Sequence, residues 1–401
     1  MPTPQTAPPA ELTTRVPPSQ AIEQLMQALA ISRETGDRRG EGAGLGNLGT
    51  AYLQGRQYEK AIEYLKQALP IYREVGNKRG EGGCLCNIGG AYTSLGQHEG
   101  AIEHLTQALA IDRELGDQQG VGEDLNNLGT ACLALGQYEN AIEHFTQSLS
   151  ISRTLGDRGG EGTDLGNLGN AHLQLGQYEL AIKRYNQALE FDRVSGDRYG
   201  LGQRLGNLGN AYTSLGQYER AIELYAQALA ISQEIADQRG VGIELGHLGS
   251  AYLHLGQRLP SPEGNAYLQQ AIEHYTQALA IDRKFGNRQG EGGGLGNLGN
   301  AYRALGQYKE AAEHYTQALE ISRAIGDRRG EGTDLNNLGL MYLNDLKDPT
   351  AALPWLQQSR ATFDALWDEI TTDERRVSFG DIFSGVGRAL QLAHAQLGQH
   401  T

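Results

Sequence analysis

The sequence predicts an all-α solenoid of stacked helix–turn–helix repeats. The first observation is a motif that returns about every forty residues: GNLGTAY (46–52), CNIGGAY (86–92), NNLGTAC (126–132), GNLGNAH (166–172), GNLGNAY (206–212), GHLGSAY (246–252), GNLGNAY (296–302) and NNLGLMY (336–342). Self-similarity at this period marks stacked supersecondary units. The second is periodicity. Leu165, Leu168, Gly169 and His172 fall at i, i+3, i+4 and i+7, and Ala181, Ile182, Tyr185, Ala188 and Leu189 repeat the pattern. Both are helical spacings, not strand alternation. The third is punctuation. Gly176 separates the two segments, and Gly196-Asp197 separates one pair from the next. A glycine just past a helix and an aspartate just before one are stop and start signals.

The elements follow in order. Residues 1–18 are a Pro-rich lead-in, expected to be disordered and lacking the charged and apolar regions of a signal peptide. Ser19 caps AIEQLMQALAISRETGD (21–37), a second helix with no first helix before it. Residues 19–36 are therefore a half-repeat, either an incomplete cap or the edge of something longer. Eight full pairs occupy 37–366, with first helices beginning near 39, 79, 119, 159, 199, 239, 289 and 329. The sixth pair breaks period. RLPSPEGNAYLQQ (258–270) reads as a loop insertion of ten extra residues, and insertions into repeats often sit at a binding edge. The eighth pair is degenerate, and 367–401 are expected to form a capping helix, because end repeats must be atypical.

The glycines read as packing residues. Gly209 is expected to face Ala221, small against small, so that the two axes approach closely. A glycine inside a helix costs about 1 kcal/mol against alanine, so neighbouring repeats must offset it and an isolated repeat should not fold. Gly44-x-Gly46-x-x-Gly49 and Gly294-x-Gly296-x-x-Gly299 match a dinucleotide-binding pattern. No strand precedes either, so both are assigned to packing.

A solenoid core is continuous along the stack, so one elongated domain is expected. The 55 glycines accompany only 11 prolines and are periodic, which excludes a low-complexity chain. Net charge is −14 with no basic stripe, which argues against nucleic acid. The acidity would steer a basic peptide, or simply keep a long solenoid solvated. No apolar run reaches membrane-spanning length. Cys84, Cys86 and Cys132 read as small core residues of a reducing, cytoplasmic protein. His104, His144, His274 and His314 occupy one column and read as a solvated face; His247 and His254 supply at most two ligands, too few for zinc. No metal, cofactor or catalytic constellation is expected, and the chain reads as a non-enzyme.

Leu205, Leu208, Gly209, Tyr212, Ala221, Tyr225 and Ala228 follow the order large-x2-Leu-Gly-x2-Tyr, Ala-x3-aromatic, Ala. This resembles the tetratricopeptide repeat. Leucine replaces the usual tryptophan, and the terminal proline is absent, so the second helix runs on to the Gly-Asp pair. The longer period resembles Pins/LGN-type scaffolds and kinesin light chains. The resemblance covers about four-fifths of the chain. It implies a right-handed superhelix with a concave groove lined by the first helices. Asn47, Asn87, Asn127, Asn167, Asn207, His247, Asn297 and Asn337 would line that groove. Asn170, Asn210 and Asn300 follow one turn on, and Arg303 one turn further. An amide is both donor and acceptor, so this column suits the backbone of any extended peptide. The alternative is that each asparagine bonds a neighbouring helix and holds the stack. No Lys/Arg clamp for a terminal carboxylate is present, so internal segments are the expected ligands. A protein or peptide partner follows, with self-association through the terminal half-repeats as a second possibility. The tail, Phe363-x-x-Leu366-Trp367 then Asp373-Glu-Arg-Arg-Val-Ser-Phe379, resembles the junction after the repeats in bacterial TPR–CHAT proteins. That likeness implies a sensor arm of a caspase-like protease system.

Overall fold

The computed structural model describes residues 18–369 and 373–398. The lead-in before residue 18 lies outside them, as do residues 370–372 of the tail. A single helix, α1 (Pro18–Thr35), precedes the pairs. The pairs are α2 (Arg38–Gln54) with α3 (Tyr58–Glu74), α4 (Lys78–Ser94) with α5 (His98–Leu115), α6 (Gln118–Ala134) with α7 (Tyr138–Leu155), and α8 (Arg158–Gln174) with α9 (Tyr178–Ser195). Next come α10 (Arg198–Ser214) with α11 (Tyr218–Glu234), α12 (Gln238–Arg258) with α13 (Glu263–Phe285), and α14 (Arg288–Ala304) with α15 (Tyr308–Ile325). Last are α16 (Arg328–Leu340), running into a π-helical turn at Met341–Asp345, α17 (Pro349–Glu369) and α18 (Asp373–Gln396). No strand occurs among the described residues.

Two chemical devices set the boundaries. Asp37, Asn77, Asp117, Asp197, Asp237, Asn287 and Asp327 cap first helices by accepting the N–H three residues on, for example from Gly240 at 3.0 Å. This satisfies one of the donors a helix start leaves open. Gly116, Gly156, Gly196, Gly286 and Gly326 end second helices with φ between 66° and 73°, a left-handed conformation that glycine adopts without steric cost.

The chain divides into two compact units, Met1–Ala171 and His172–Thr401. Within the first, α2 touches α4 and α4 touches α6; within the second, α10 touches α12, α12 touches α14 and α14 touches α16. The first helices therefore form the closely spaced side of each stack. Cores are built from the motif leucines and the aromatic of each second helix. Tyr225, Tyr275 and Tyr315 in the second unit, and Phe145 in the first, are buried.

The glycine packing differs from the small-against-small expectation. A Cβ on Gly209 would come within 2.5 Å of the Tyr225 ring, and one on Gly299 within 2.5 Å of Tyr315. The nearest atoms the glycine makes room for belong to the aromatic one turn beyond Ala221; at the equivalent Gly49 and Gly89 the carbonyls of Ala61 and Ala101 also lie close, at 3.3 Å. Residues 258–270 also differ. α12 extends to Arg258 and α13 begins at Glu263, so most of the insertion lengthens two helices and only 259–262 turn. Gly256 and Gly264 permit it: a Cβ on Gly256 would lie 2.8 Å from the Gly264 carbonyl.

Candidate functional site

Asn47 is exposed on α2, and the rest of its column is half-buried. Three members reach back one repeat: Asn87 Nδ2 donates to Thr50 Oγ1 (3.3 Å), Asn127 Nδ2 to Cys86 Sγ (3.6 Å) and Asn167 Nδ2 to Asn126 Oδ1 (3.4 Å). In the first unit these amides link consecutive first helices. Asn170 and Asn207 are engaged as well. His247 tilts over Tyr225, with ring centroids 5.0 Å apart. Asn210 and Asn300 accept the buried hydroxyls of Tyr225 and Tyr315 at 2.7 and 2.8 Å. Arg303 is paired with Asp345 at 2.6 Å. Stack-holding contacts thus account for much of the column. Asn297 and Asn337 differ: both line an open cleft of about 370 Å³ on the first-helix side of α14, α15 and α16, beside Asn300.

A corresponding cleft of about 250 Å³ lies between α6, α7 and α8, lined by Asn126, Asn127 and Asp164. Both clefts contain a buried acid that the motif reading overlooked. Asp164 accepts from Ser152 Oγ (2.8 Å) and Asn126 Nδ2 (2.6 Å), and Asp334 accepts from Ser322 Oγ (3.0 Å). The signal was the Thr-Asp pair at 163–164 and again at 333–334, which marks an acid inside an otherwise apolar helix face. Burial raises the Asp164 carboxyl pKa, against the hydrogen bonds that lower it. Burial pushes Asp334 up to about 7, with Asp327 adding to the rise and Ser322 opposing it.

Asp124 occupies the same register on α6 but meets Asp112 where the others meet serine. It is fully buried, and neither oxygen has a donor at bonding geometry. Burial raises it to about 7; the Cys86 thiol alongside opposes this, while Asp112 and Glu123 reinforce it. Cys86 is half-buried and Cys84 and Cys132 are buried, all as free thiols.

The histidine column is not a solvated face. His104, His274 and His314 pack on Tyr92, Tyr252 and Tyr302 with centroids 5.1–5.3 Å apart. Burial lowers the pKa of His144, His274 and His314. His254 stacks on Tyr218 and so turns to a different neighbour from His247. Among the described residues no three His, Cys, Asp or Glu side chains converge as a metal site, and no helix is long and apolar enough to cross a membrane.

The tetratricopeptide-repeat family model matches residues 18–74, 83–154, 124–193, 161–234 and 291–365. The chain belongs to the tetratricopeptide-repeat family. Arrays of such repeats present extended surfaces to other proteins. Solved structures share the fold at low identity. The signal-transduction ATPase with a tetratricopeptide repeat sensor, PH0952 from Pyrococcus horikoshii, aligns with TM-score 0.61 and 18% identity over 77% of this chain and 45% of that one. The apo form of RapI aligns with TM-score 0.54 and 18% identity over 72% of this chain and 99% of that one. A Rap protein complexed with Competence and Sporulation Factor aligns with TM-score 0.52 and 15% identity over 77% of this chain and 87% of that one. No curated protein matches the chain in sequence.

Proposed function

We propose that this repeat array is a non-catalytic, cytoplasmic interaction scaffold that holds an extended peptide segment along its first-helix face. The observation that carries the reading is the α14–α16 cleft, where Asn297, Asn300 and Asn337 meet on a glycine-rich floor. Glycines bring a ligand backbone close, and amides serve its N–H and C=O groups in any sequence. Each such bond contributes about 0.5–1.5 kcal/mol net. Several bonds must therefore act together, with side-chain pockets, to offset the entropy of association. The complex of a Rap protein with Competence and Sporulation Factor lends this reading the precedent of a shared fold.

The test is affinity capture from the source lysate, with the wild-type chain beside Asn297→Ala/Asn337→Ala. Circular dichroism first establishes that the variant is as helical as the parent. A partner held by the wild type and lost at least tenfold by the variant supports the reading. A partner held equally by both refutes binding on this face.

A second reading is a sensor arm of a TPR–CHAT system. It draws on the tail motif, part of which lies outside the described residues, and on the likeness to the PH0952 ATPase with its tetratricopeptide repeat sensor. It expects a caspase-like domain to bind the purified chain in trans, saturably; no binding would remove it.

A further inference from the structure

The two clefts are copies of one construction offset by 170 residues. Gly160-Glu-Gly-Thr163-Asp164-Leu on α8 matches Gly330-Glu-Gly-Thr333-Asp334-Leu on α16. In each, a serine of the preceding second helix bonds the acid's Oδ2: Ser152 at 2.8 Å and Ser322 at 3.0 Å. The copies part at the other oxygen. Asp164 Oδ1 accepts the Asn126 amide from α6 at 2.6 Å. On α14 the residue in the place of Asn126 is Gly296, and a Cβ built there would sit 3.5 Å from Asp334 Oδ1 with nothing nearer. The place of Glu123 is taken by Gly293, around which a Cβ would meet nothing within 4 Å. Removing these two side chains accompanies a widening from about 250 to about 370 Å³. Asp334 is only 6% exposed as a residue, and its second oxygen faces the unfilled, solvent-open cleft.

Other junctions do not repeat this. At α10–α12, Gly206 stands opposite the longer Glu244, whose carboxylate fills the space. At α2–α4, the Tyr72 hydroxyl fills the space at Gly46. At α12–α14, Gly294 replaces the acid, so no acceptor is present.

We propose that the α14–α16 cleft takes one arginine side chain of the bound peptide, its guanidinium donating to Asp334 Oδ1 where Asn126 Nδ2 would reach in the sister cleft. The proposal rests on the peptide-scaffold reading for the rest of its ligand. A largely buried carboxylate gains most from a charged donor, because hydrogen bonds between ionised partners are the strong ones. Asn297 and Asn337 line the same cleft, and an amide oxygen on each is the acceptor for the remaining N–H groups. A guanidinium supplies five donors in a fixed fork, whereas an ammonium supplies three on a point charge and an amide two without charge. The charged groups facing the cleft are Asp334, Asp327 and the exposed Arg329. Burial holds Asp334 near its protonated form, so arginine entry releases a proton and weakens as pH falls below neutrality.

The probe is N-acetyl-arginine N-methylamide, titrated into the full chain and followed by backbone amide NMR. The lysine, glutamine and norleucine analogues serve as comparators. Shifts clustered at Gly293, Gly296 and Asp334, at least tenfold stronger in affinity for arginine than norleucine, are expected. Gly296→Asn supplies the missing amide from within. It should abolish those shifts while leaving helicity intact and melting temperature unchanged or higher. Asn126→Gly should open a second arginine site at Asp164. Equal response to arginine and norleucine, or unchanged shifts in Gly296→Asn, overturns the proposal. Equal or better binding of lysine or glutamine overturns the guanidinium assignment. Because the probe is a single residue, its result stands apart from the lysate capture, so loss of the peptide scaffold and loss of the arginine site are separately visible.

Discussion

At the scale of single residues, the polar groups inside the helix faces divide into satisfied and unsatisfied sets. Tyr225 belongs to the first. Its hydroxyl donates to Asn210 and lies 3.1 Å from Thr213. Tyr225→Phe keeps the ring against Gly209 and removes both contacts, so chemical denaturation should show a loss of about 1 kcal/mol. Asp124 belongs to the second. Its folded pKa of about 7 exceeds the ordinary 3.8, so the fold retains its proton. Such a group favours folding fully below pH 4, and its contribution fades as pH rises to 7 and stays lost above. Asp124→Asn should flatten the stability profile between those limits. At pH 8 it should stabilise by roughly 2 kcal/mol, the scale of a shift of this size after discounting. A profile identical to wild type in urea titrations at pH 5 and pH 8 would contradict this. Tyr225 was legible as the motif aromatic, but the partner of its hydroxyl was not, and Asp124 was not legible at all, because which side chain faces it depends on how α5 and α6 meet. The serine at 152 and aspartate at 112 occupy the same register, yet only the three-dimensional pairing separates a hydrogen bond from a repulsion.

At the scale of elements, the boundaries were written locally. A Gly-Asp or Gly-Asn pair ends one helix and caps the next at seven junctions, and Ala236-Asp237 does so before α12 with Ala236 at φ 57°, so the repeated punctuation translated directly into eight pairs. Asp237→Ala removes the acceptor for the Gly240 N–H and should cost about 1 kcal/mol, measured as a lower melting temperature. The same junctions carry Arg33–Glu41, Arg73–Glu81, Arg153–Glu161, Arg283–Glu291 and Arg323–Glu331 pairs at 2.7–3.0 Å, tying each second helix to the next first helix. Their arginines are about half exposed, so each pair is worth little. Val121 and Val241 already stand in the glutamate's place and are buried. Glu161→Val should therefore change stability by less than about 0.5 kcal/mol. Residues 258–270 depart from the loop expectation for a reason of the same kind. Gly256 and the prolines at 260 and 262 look like punctuation, but Gly256 packs against the Gly264 backbone and α12 runs through it. A glycine that admits a neighbour and a glycine that ends a helix are the same letter.

At the scale of the whole chain, repetition made the family legible and left the ligand unwritten. The asparagine column suggested one uniform binding surface. In the structure, Asn87, Asn127 and Asn167 are spent on neighbours, and a cleft-facing acceptor, Asp334 Oδ1, lies where two glycines interrupt the pattern. Repeats specify the stack, and departures from the repeat are where a ligand finds room. The same logic applies to α1 and α18. α1 buries Leu29 against its neighbours but leaves Met26 and Ile31 exposed. α18 packs Ala389 and Ala393 on α17 and leaves Leu392 exposed, in a segment whose GRALQLAHAQLGQ echoes a first helix. We propose that α18 of one copy covers α1 of another, completing the half-repeat. Such a contact is heterologous, and a heterologous contact extends unless its rotation closes a ring. Light scattering should then show a mass that rises with concentration. Ile31→Glu should hold the chain at 43.4 kDa, because a charge on that face must be desolvated when the contact forms. A wild-type mass of one chain at every concentration would rule the contact out.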